Sequence, residues 1–531
     1  MNVPWLTVVL LLPLAAAALL QVIPRTAVTL LKALTVTATA AAAAIVWTLV
    51  ATMGGSPHSA GPLSFHYSEI HQWIPVIGAT YHVGLDGISA WILALNAGVF
   101  VLGAILVSRR STDRLKLFCG LLLLTETMTA GVLLSVDLLL FYLFWEGMLI
   151  PLYFLLANYG NENRGRATVK FIVYTVAGSL LMLVSILSLF FAHGVASGNL
   201  SFDLTQLLGG GLSKQPLVIP WVNITTFTPE QWAFLGFAAA FAIKIPLVPF
   251  HTWLPDLYES APVAVLVFFA GLVSKLGAYS FIRFALTLFP DAVNTFKWVL
   301  AALAVVSIIY GALMALSQRD IKRIVAYSSL SHLGFIALGI FTLNVNGING
   351  AVIQIVNHGI IIAALFIIVD IIEQRTGTRD RHELAGLERR MPWLYAFFLV
   401  ATLAGLGMPG MNSFAGEFSI MLGAFQLHPA YAVLAGLGVV LACWYMLRLH
   451  QGVMHDPPQP RTEAVGDIRP AQGLVLLPLV GLMVFLGVFP GPVGDVTQLS
   501  VKQTTALAHG YASTAGPNFS GLGPVSPGGQ P

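Results

Sequence analysis

Apolar runs of about 20 residues, separated by polar or Gly/Pro-rich breaks, set the pattern along this chain. They predict an all-α polytopic membrane protein of about 14 transmembrane helices, at residues 4–22, 28–52, 86–107, 115–134, 137–157, 168–193, 231–250, 261–287, 295–316, 322–343, 347–371, 393–424, 430–450 and 471–490. Charge placement tests that count. With the N-terminus outside, the inner loops collect Arg25 and Lys32; Arg109, Arg110, Arg114 and Lys116; Arg164, Arg166 and Lys170; Arg319, Lys322 and Arg323; Arg375, Arg379, Arg381, Arg389 and Arg390; and Arg448, Arg461 and Arg469. The outer side receives only Lys214, Lys297 and Lys502, a bias that one missed or invented helix would destroy. The inner loop 251–260 is acidic and has no Lys or Arg. No basic residue precedes the first apolar run, which reads as a retained helix and not a cleaved leader.

Two runs are interrupted. In the seventh, Lys244 is followed by Pro246 and Pro249, which cannot donate to the carbonyls of Ala242 and Ile245. The expectation is a half-helix C-terminus, with unpaired C=O groups, beside a buried ammonium group. In the twelfth, the chain breaks at Pro409 and Gly410 and restarts with Asn412 or Ser413 as N-cap, with Glu417 near the new helix start. The breaks lie five helices apart. Five is odd, so helices 4–8 and 9–13 form two inverted five-helix repeats with discontinuous helices 7 and 12. The chain then divides into 1–112 (helices 1–3), 113–290 (first repeat), 291–455 (second repeat) and 456–531 (helix 14 and a tail). The tail after Pro490, rich in Gly, Pro, Ser and Thr, reads as extended or disordered. The outer segments 53–85 and 194–230 read as short hairpins or interfacial turns.

Composition agrees, since 57% of the 531 residues are hydrophobic, only 9% are charged, and the mean hydropathy is +0.83. Cys119 and Cys443 lie far apart in apolar runs, which argues against disulfide, zinc, iron–sulfur or haem-thiolate chemistry. The run Gly405-Leu-Gly407-Met-Pro-Gly410 mimics a dinucleotide fingerprint, but it contains proline, follows no strand and lies within an apolar helix.

The informative residues are ionisable groups at membrane depth, which are costly and therefore functional candidates. Glu146 lies mid-helix five; burial disfavours its charged form and that of Lys244, whereas pairing the two favours both charges. Such a pair can act as a proton switch, and it can equally tie two helices together. Lys275 lies mid-helix eight, where it can relay a proton from Lys244 through water. His332 and His358, among polar neighbours, can each accept and donate near neutral pH. Glu126 on helix four is flanked by Thr125 and Thr127, which could satisfy it. Asp137 and Arg283 lie nearer the outer helix ends and read as orientation anchors, with Asp137 able to tune Glu146.

The stretches LLLFYLFWEGMLIPLYFLL, AFAIKIPLVPFHTWLPDLYESAP, GLVSKLGAYSFIRF, QRDIKRIVAYSSLSHLGFI and GMPGMNSFAGEF resemble the antiporter-like subunits of respiratory complex I, the bacterial NADH:quinone oxidoreductase, and within them the M (chain 4) type. The likeness covers nearly the whole chain. It implies a fourteen-helix fold and a proton channel without a redox centre of its own. NADH, FMN, iron–sulfur clusters and quinone are then expected in partner subunits. By the same resemblance Glu146 and Lys244 match the coupling pair, Lys275 the central relay lysine, His332 and His358 the histidine relays, and Glu417 the terminal carboxylate. The related L- and N-type subunits and the D-type component of Mrp antiporters typically carry lysine at that last position. The expectation is a proton-translocating subunit of a redox-driven pump in a bacterial plasma membrane, beside L- and N-type neighbours, with both termini outside. The alternative is a subunit of an Mrp-type secondary cation/proton antiporter.

Overall fold

The computed structural model describes residues 3–53, 62–109, 114–208, 211–216, 218–219, 224–225, 227–463 and 465–510. Each predicted apolar run forms a helix: α1 (Trp5–Val22), α2 (Val28–Ala51), α3 (Gly87–Ser108), α4 (Leu115–Leu134), α5 (Leu138–Tyr159), α6 (Arg164–Ser197), α7a (Pro229–Lys244), α7b (Trp253–Ser260), α8 (Val263–Leu288), α9 (Pro290–Ser317), α10 (Ile321–Phe341), α11 (Val345–Thr376), α12a (Pro392–Gly405), α12b (Asn412–Leu427), α13 (Pro429–Met454) and α14 (Pro470–Val488). Among the described residues twelve helices are long and apolar enough to cross a membrane, and the two interrupted crossings, α7 and α12, add their half-helices.

Two expectations need correction. Residues 253–260 are not an inner loop but a helix whose Trp253, Leu254, Leu257 and Tyr258 are fully buried, so the seventh crossing resumes after its break. The tail is not extended after Pro490. Gly491–Ala508 forms a further helix, α15, because Val493, Thr497, Val501, Thr504 and Ala508 recur at helical spacing and face the protein. Polar contacts seat it: Ser500 accepts from the Gly87 amide at 3.1 Å, and Thr497 donates to Asn349 at 2.7 Å. Composition hid that stripe. Residues 511–531 lie outside the described part of the chain.

The matching halves follow from the two breaks. α6 packs along α7a as α11 packs along α12b. At the centre stand α8, α10 and α11, in which nearly every residue is buried. Helices around the rim keep large apolar side chains on their outer faces, such as Val173, Leu180 and Val184 of α6, as a bilayer or neighbouring subunits require.

Segment 62–85 contains the hairpin expected there, β1 (Tyr67–Ile74) paired antiparallel with β2 (Ala79–Leu85). Its Glu69 accepts from the Leu6 and Thr7 amides at 2.8 and 3.0 Å, so a carboxylate caps free N–H groups at the positive end of α1. His82 Nδ1 meets Asp203 Oδ2 at 2.5 Å in a buried pair between the hairpin and the segment after α6. Burial pushes the Asp203 carboxyl up, but the hydrogen bond and charge of His82 and the hydroxyl and amide of Thr205 outweigh it, so its pKa lies below the usual value. Stability from this anchor is therefore fully present above the unfolded-state pKa and is lost as pH falls through the lowered folded value.

Candidate functional site

α7a ends at Lys244 because Pro246 breaks the hydrogen-bond ladder. The expected orphan carbonyl at Ala242 is nevertheless paired. The Leu247 amide reaches over the proline to Ala242 O at 2.9 Å, and the Trp253 indole donates to Ile243 O at 3.0 Å. What stays without a protein hydrogen-bond partner is the ammonium itself. Lys244 is fully buried, with Nζ 5.1 Å from the Trp145 ring centroid and 5.3 Å from that of Phe171, a position where ring faces stabilise a cation. Glu146 follows Trp145 at the end of the first part of α5, which is locally broken at Met148. Its buried Oε1 has no hydrogen-bond partner either. Among the described residues the two groups make no hydrogen bond to each other through these atoms.

Gly277 of α8 lets these helices approach. A Cβ there would stand 2.8 Å from Phe241 O and 2.9 Å from Lys244 Cβ, one of them backbone. Gly277→Ala is expected to push α8 from α7a and cost about 1–3 kcal/mol of stability. Thermal unfolding of the purified protein checks this, and an unchanged midpoint would contradict the close approach.

Lys275, also fully buried, lies where α8 is irregular: a 3₁₀ turn (Val273–Lys275) precedes a short α segment and a π turn (Phe281–Ala285). Such departures break the regular ladder and often mark functional positions. Its Nζ donates to Ala270 O. Tyr258 of α7b, which the sequence pattern did not single out, keeps a buried hydroxyl without a protein hydrogen-bond partner, as does Ser329 of α10.

Beyond Lys275 the row continues on α11 and α10. His358 and His332 stand with ring centroids 5.3 Å apart, and neither ring nitrogen of His358 has a protein partner. His332 Nδ1 is 3.0 Å from Glu417 Oε1. That same oxygen accepts from Gln354 Nε2 at 3.0 Å and Ser413 Oγ at 2.9 Å, while Tyr445 OH stands 3.5 Å from His332 Nε2. Gly407, at φ +75°, brings the α12 break against the other carboxylate oxygen; a Cβ there would lie 2.5 Å from Oε2.

The predicted N-cap is not formed. Met411 occupies that position and Asn412 is already helical. The Asn412 side chain donates to Asn357 O, and its own carbonyl accepts from the Asn357 side-chain amide. Ser413 is drawn to Glu417.

The remaining candidates lie apart from this row. Glu126 is buried with Oε2 unpartnered, and its threonines do not satisfy it: Thr125 bonds Leu121 O and Thr127 bonds Leu10 O. Asp137 caps α5 through the Leu139 and Leu140 amides and accepts from Thr80 of the hairpin. Arg283 is paired with Asp86. Both are structural anchors by their contacts. Tyr258, Gln354 and Tyr445 are not evident from sequence because they carry no formal charge, and Ser413 was read only as a cap. Their one signal was polarity inside an apolar run. Among the described residues no cluster of His, Cys, Asp and Glu is arranged to hold a metal ion.

Residues 135–442 match the family model described as NADH:quinone oxidoreductase/Mrp antiporter, TM. NADH-quinone oxidoreductase subunit M of Pseudomonas aeruginosa is 39% identical over 436 residues, 81% of this chain and 83% of that protein. The Mycobacterium tuberculosis subunit M is 33% identical over 533 residues, 95% and 94% of the two chains. The chain belongs to the NADH-quinone oxidoreductase subunit M family. A chain of respiratory complex I from Thermus thermophilus superimposes with a TM-score of 0.80 at 32% identity, covering 96% of this chain and 99% of that one. A chain of the Mrp complex from Dietzia shares the fold, with a TM-score of 0.76 at 20% identity over 97% and 98% of the chains. The family model spans the row from Glu146 to Glu417 and stops short of α14 and α15.

Proposed function

We propose that this chain is a proton-translocating, antiporter-like subunit of a redox-driven NADH:quinone oxidoreductase, moving H⁺ from the cytoplasm to the outside. The observation that carries this reading is the row Lys244, Tyr258, Lys275, His358, His332 and Glu417 through the most buried helices, with several polar atoms left without protein partners. Buried polar groups in proteins are as a rule hydrogen-bonded, so unpartnered ones along a line favour water between them and proton hops through it. Protons load near the two lysines, pass the histidines and leave near Glu417. Glu146 transmits charge changes to Lys244, which is the coupling.

Energy comes from electron transfer in partner subunits that hold NADH, FMN, iron–sulfur clusters and quinone. Each charge moved against the field costs about 2.3 kcal/mol per 100 mV. The neighbours are L- and N-type subunits, the membrane is a bacterial plasma membrane, and both termini lie outside. The functional units are residues 113–290 and 291–455, one on each side of the Lys275 to His358 step.

Glu417→Gln tests the reading while keeping a side chain that the same neighbours can hold. In membrane vesicles of the intact oxidoreductase, NADH-driven proton uptake is expected to fall about tenfold together with quinone reduction, since a positioned proton acceptor is lost. Wild-type rates of both proton uptake and quinone reduction in Glu417→Gln would remove Glu417 from the path. Restoration of transport by an imposed Na⁺ gradient alone would favour the secondary antiporter.

A further inference from the structure

A cleft lies away from the proton row. Its volume is about 1040 Å³, between α1 and α4. Leu14, Ala17 and Ala18 of α1 face Leu121 and Leu124 of α4 across it, and Gly120 leaves its floor open toward Gln21. One end is basic: Arg25, Arg114 and Lys116 line it. Lys116 uses two of its protons on the Gln21 and Ile23 carbonyls, at 2.8 and 2.9 Å, which ties α4 to the end of α1 and neutralises that helix's negative pole. Among the described residues no carboxylate pairs with Arg25 or Arg114, and both are exposed at the mouth. The cleft is thus apolar along its length, with uncompensated positive charge at one end.

We propose that this cleft is a binding site for one anionic phospholipid. Arg25 and Arg114 hold the phosphate and the acyl chains lie along the alanine and leucine walls. A peptide segment or neighbouring helix fits the charge less well, because it would bring its own backbone and no fixed negative group to two free guanidiniums. The basic end is also the end that the Lys/Arg bias assigns to the cytoplasmic leaflet, where anionic lipids concentrate. The bound lipid wedges α1 against α4 and so supports the helix that precedes Asp137 and α5.

The test uses the intact oxidoreductase, purified in mild detergent, delipidated and titrated with phosphatidylglycerol or phosphatidylcholine. Bound lipid is read by native mass spectrometry. The wild type is expected to retain one anionic lipid that the double variant Arg25→Gln, Arg114→Gln binds roughly 30-fold more weakly, as loss of two near-surface charges implies. Gly120→Leu keeps the charges and fills the cleft, and is expected to exclude the same lipid. Equal retention by all three proteins, or an equal preference for phosphatidylcholine, overturns the proposal. So does a wild-type protein whose cleft cross-links, from Ala18→Cys, only to another subunit. If the double variant does not assemble, the Gly120→Leu protein decides by itself.

Discussion

Lys244→Ala is expected to abolish proton pumping and to reduce quinone reduction with it, by on the order of 100-fold. The alanine cannot carry a proton, and it leaves Trp145 and Phe171 facing an empty volume where Nζ stood 5.1 and 5.3 Å from their centroids. A tightly coupled pump cannot run electron transfer while one of its proton steps is blocked. Both activities should therefore fall in proportion, as measured by proton uptake per electron in vesicles with NADH oxidation followed in parallel. Lys244→Arg keeps a cation but cannot release a proton, because the guanidinium stays charged at any working pH. It is expected to be as inactive as the alanine, whereas a role confined to charge balance would leave the arginine variant active. Activity and pumping that persist in Lys244→Ala would remove the row's starting point and with it the proposed path.

Much of this arrangement was legible in the sequence for a physical reason. An ionisable side chain in a 20-residue apolar run is expensive, so Lys244, Lys275, His332, His358 and Glu417 stood out individually. The interruptions stood out for the same reason, because proline cannot extend a helix. What periodicity could not show was which groups meet. His332 and Glu417 are 85 residues apart, and His82 and Asp203 are 121 apart; only packing brings them within 3.0 and 2.5 Å. Gln354 looks like an ordinary helix residue, and Ser413 like a cap, until the tertiary structure aims both at the Glu417 carboxylate. The Ala242 carbonyl illustrates the opposite error. Proline does remove a donor, yet the next amide along, that of Leu247, bends back to replace it. α15 was hidden by its Thr and Ser content, which suits a half-buried helix lying on the bundle as well as it suits a loose tail.

The second large effect concerns stability. Arg283→Met is expected to destabilise the protein by about 3–5 kcal/mol, because it strands a buried carboxylate. Arg283 Nη2 lies 2.5 Å from Asp86 Oδ1, with side-chain exposures of 2% and 3%. Asp86 caps α3 by accepting from the Ser89 amide and hydroxyl, both at 2.9 Å. Arg283 also lies over the rings of Phe65 and Tyr279, and the Tyr279 hydroxyl donates to Leu133 O at 2.7 Å. The pair therefore joins α3, α4 and α8 where α8 becomes π-helical, two turns beyond Lys275. Adding Asp86→Asn to Arg283→Met removes the stranded charge, while the amide oxygen still caps α3. The double variant is expected to be more stable than Arg283→Met alone, with a coupling of roughly 1–3 kcal/mol for groups in direct contact. Thermal unfolding of the four proteins of this cycle in detergent measures it. Additive losses would mean that the two groups do not depend on each other. A double variant that recovers stability but not pumping would show that Arg283 also serves the proton row, through the geometry it imposes on the irregular part of α8.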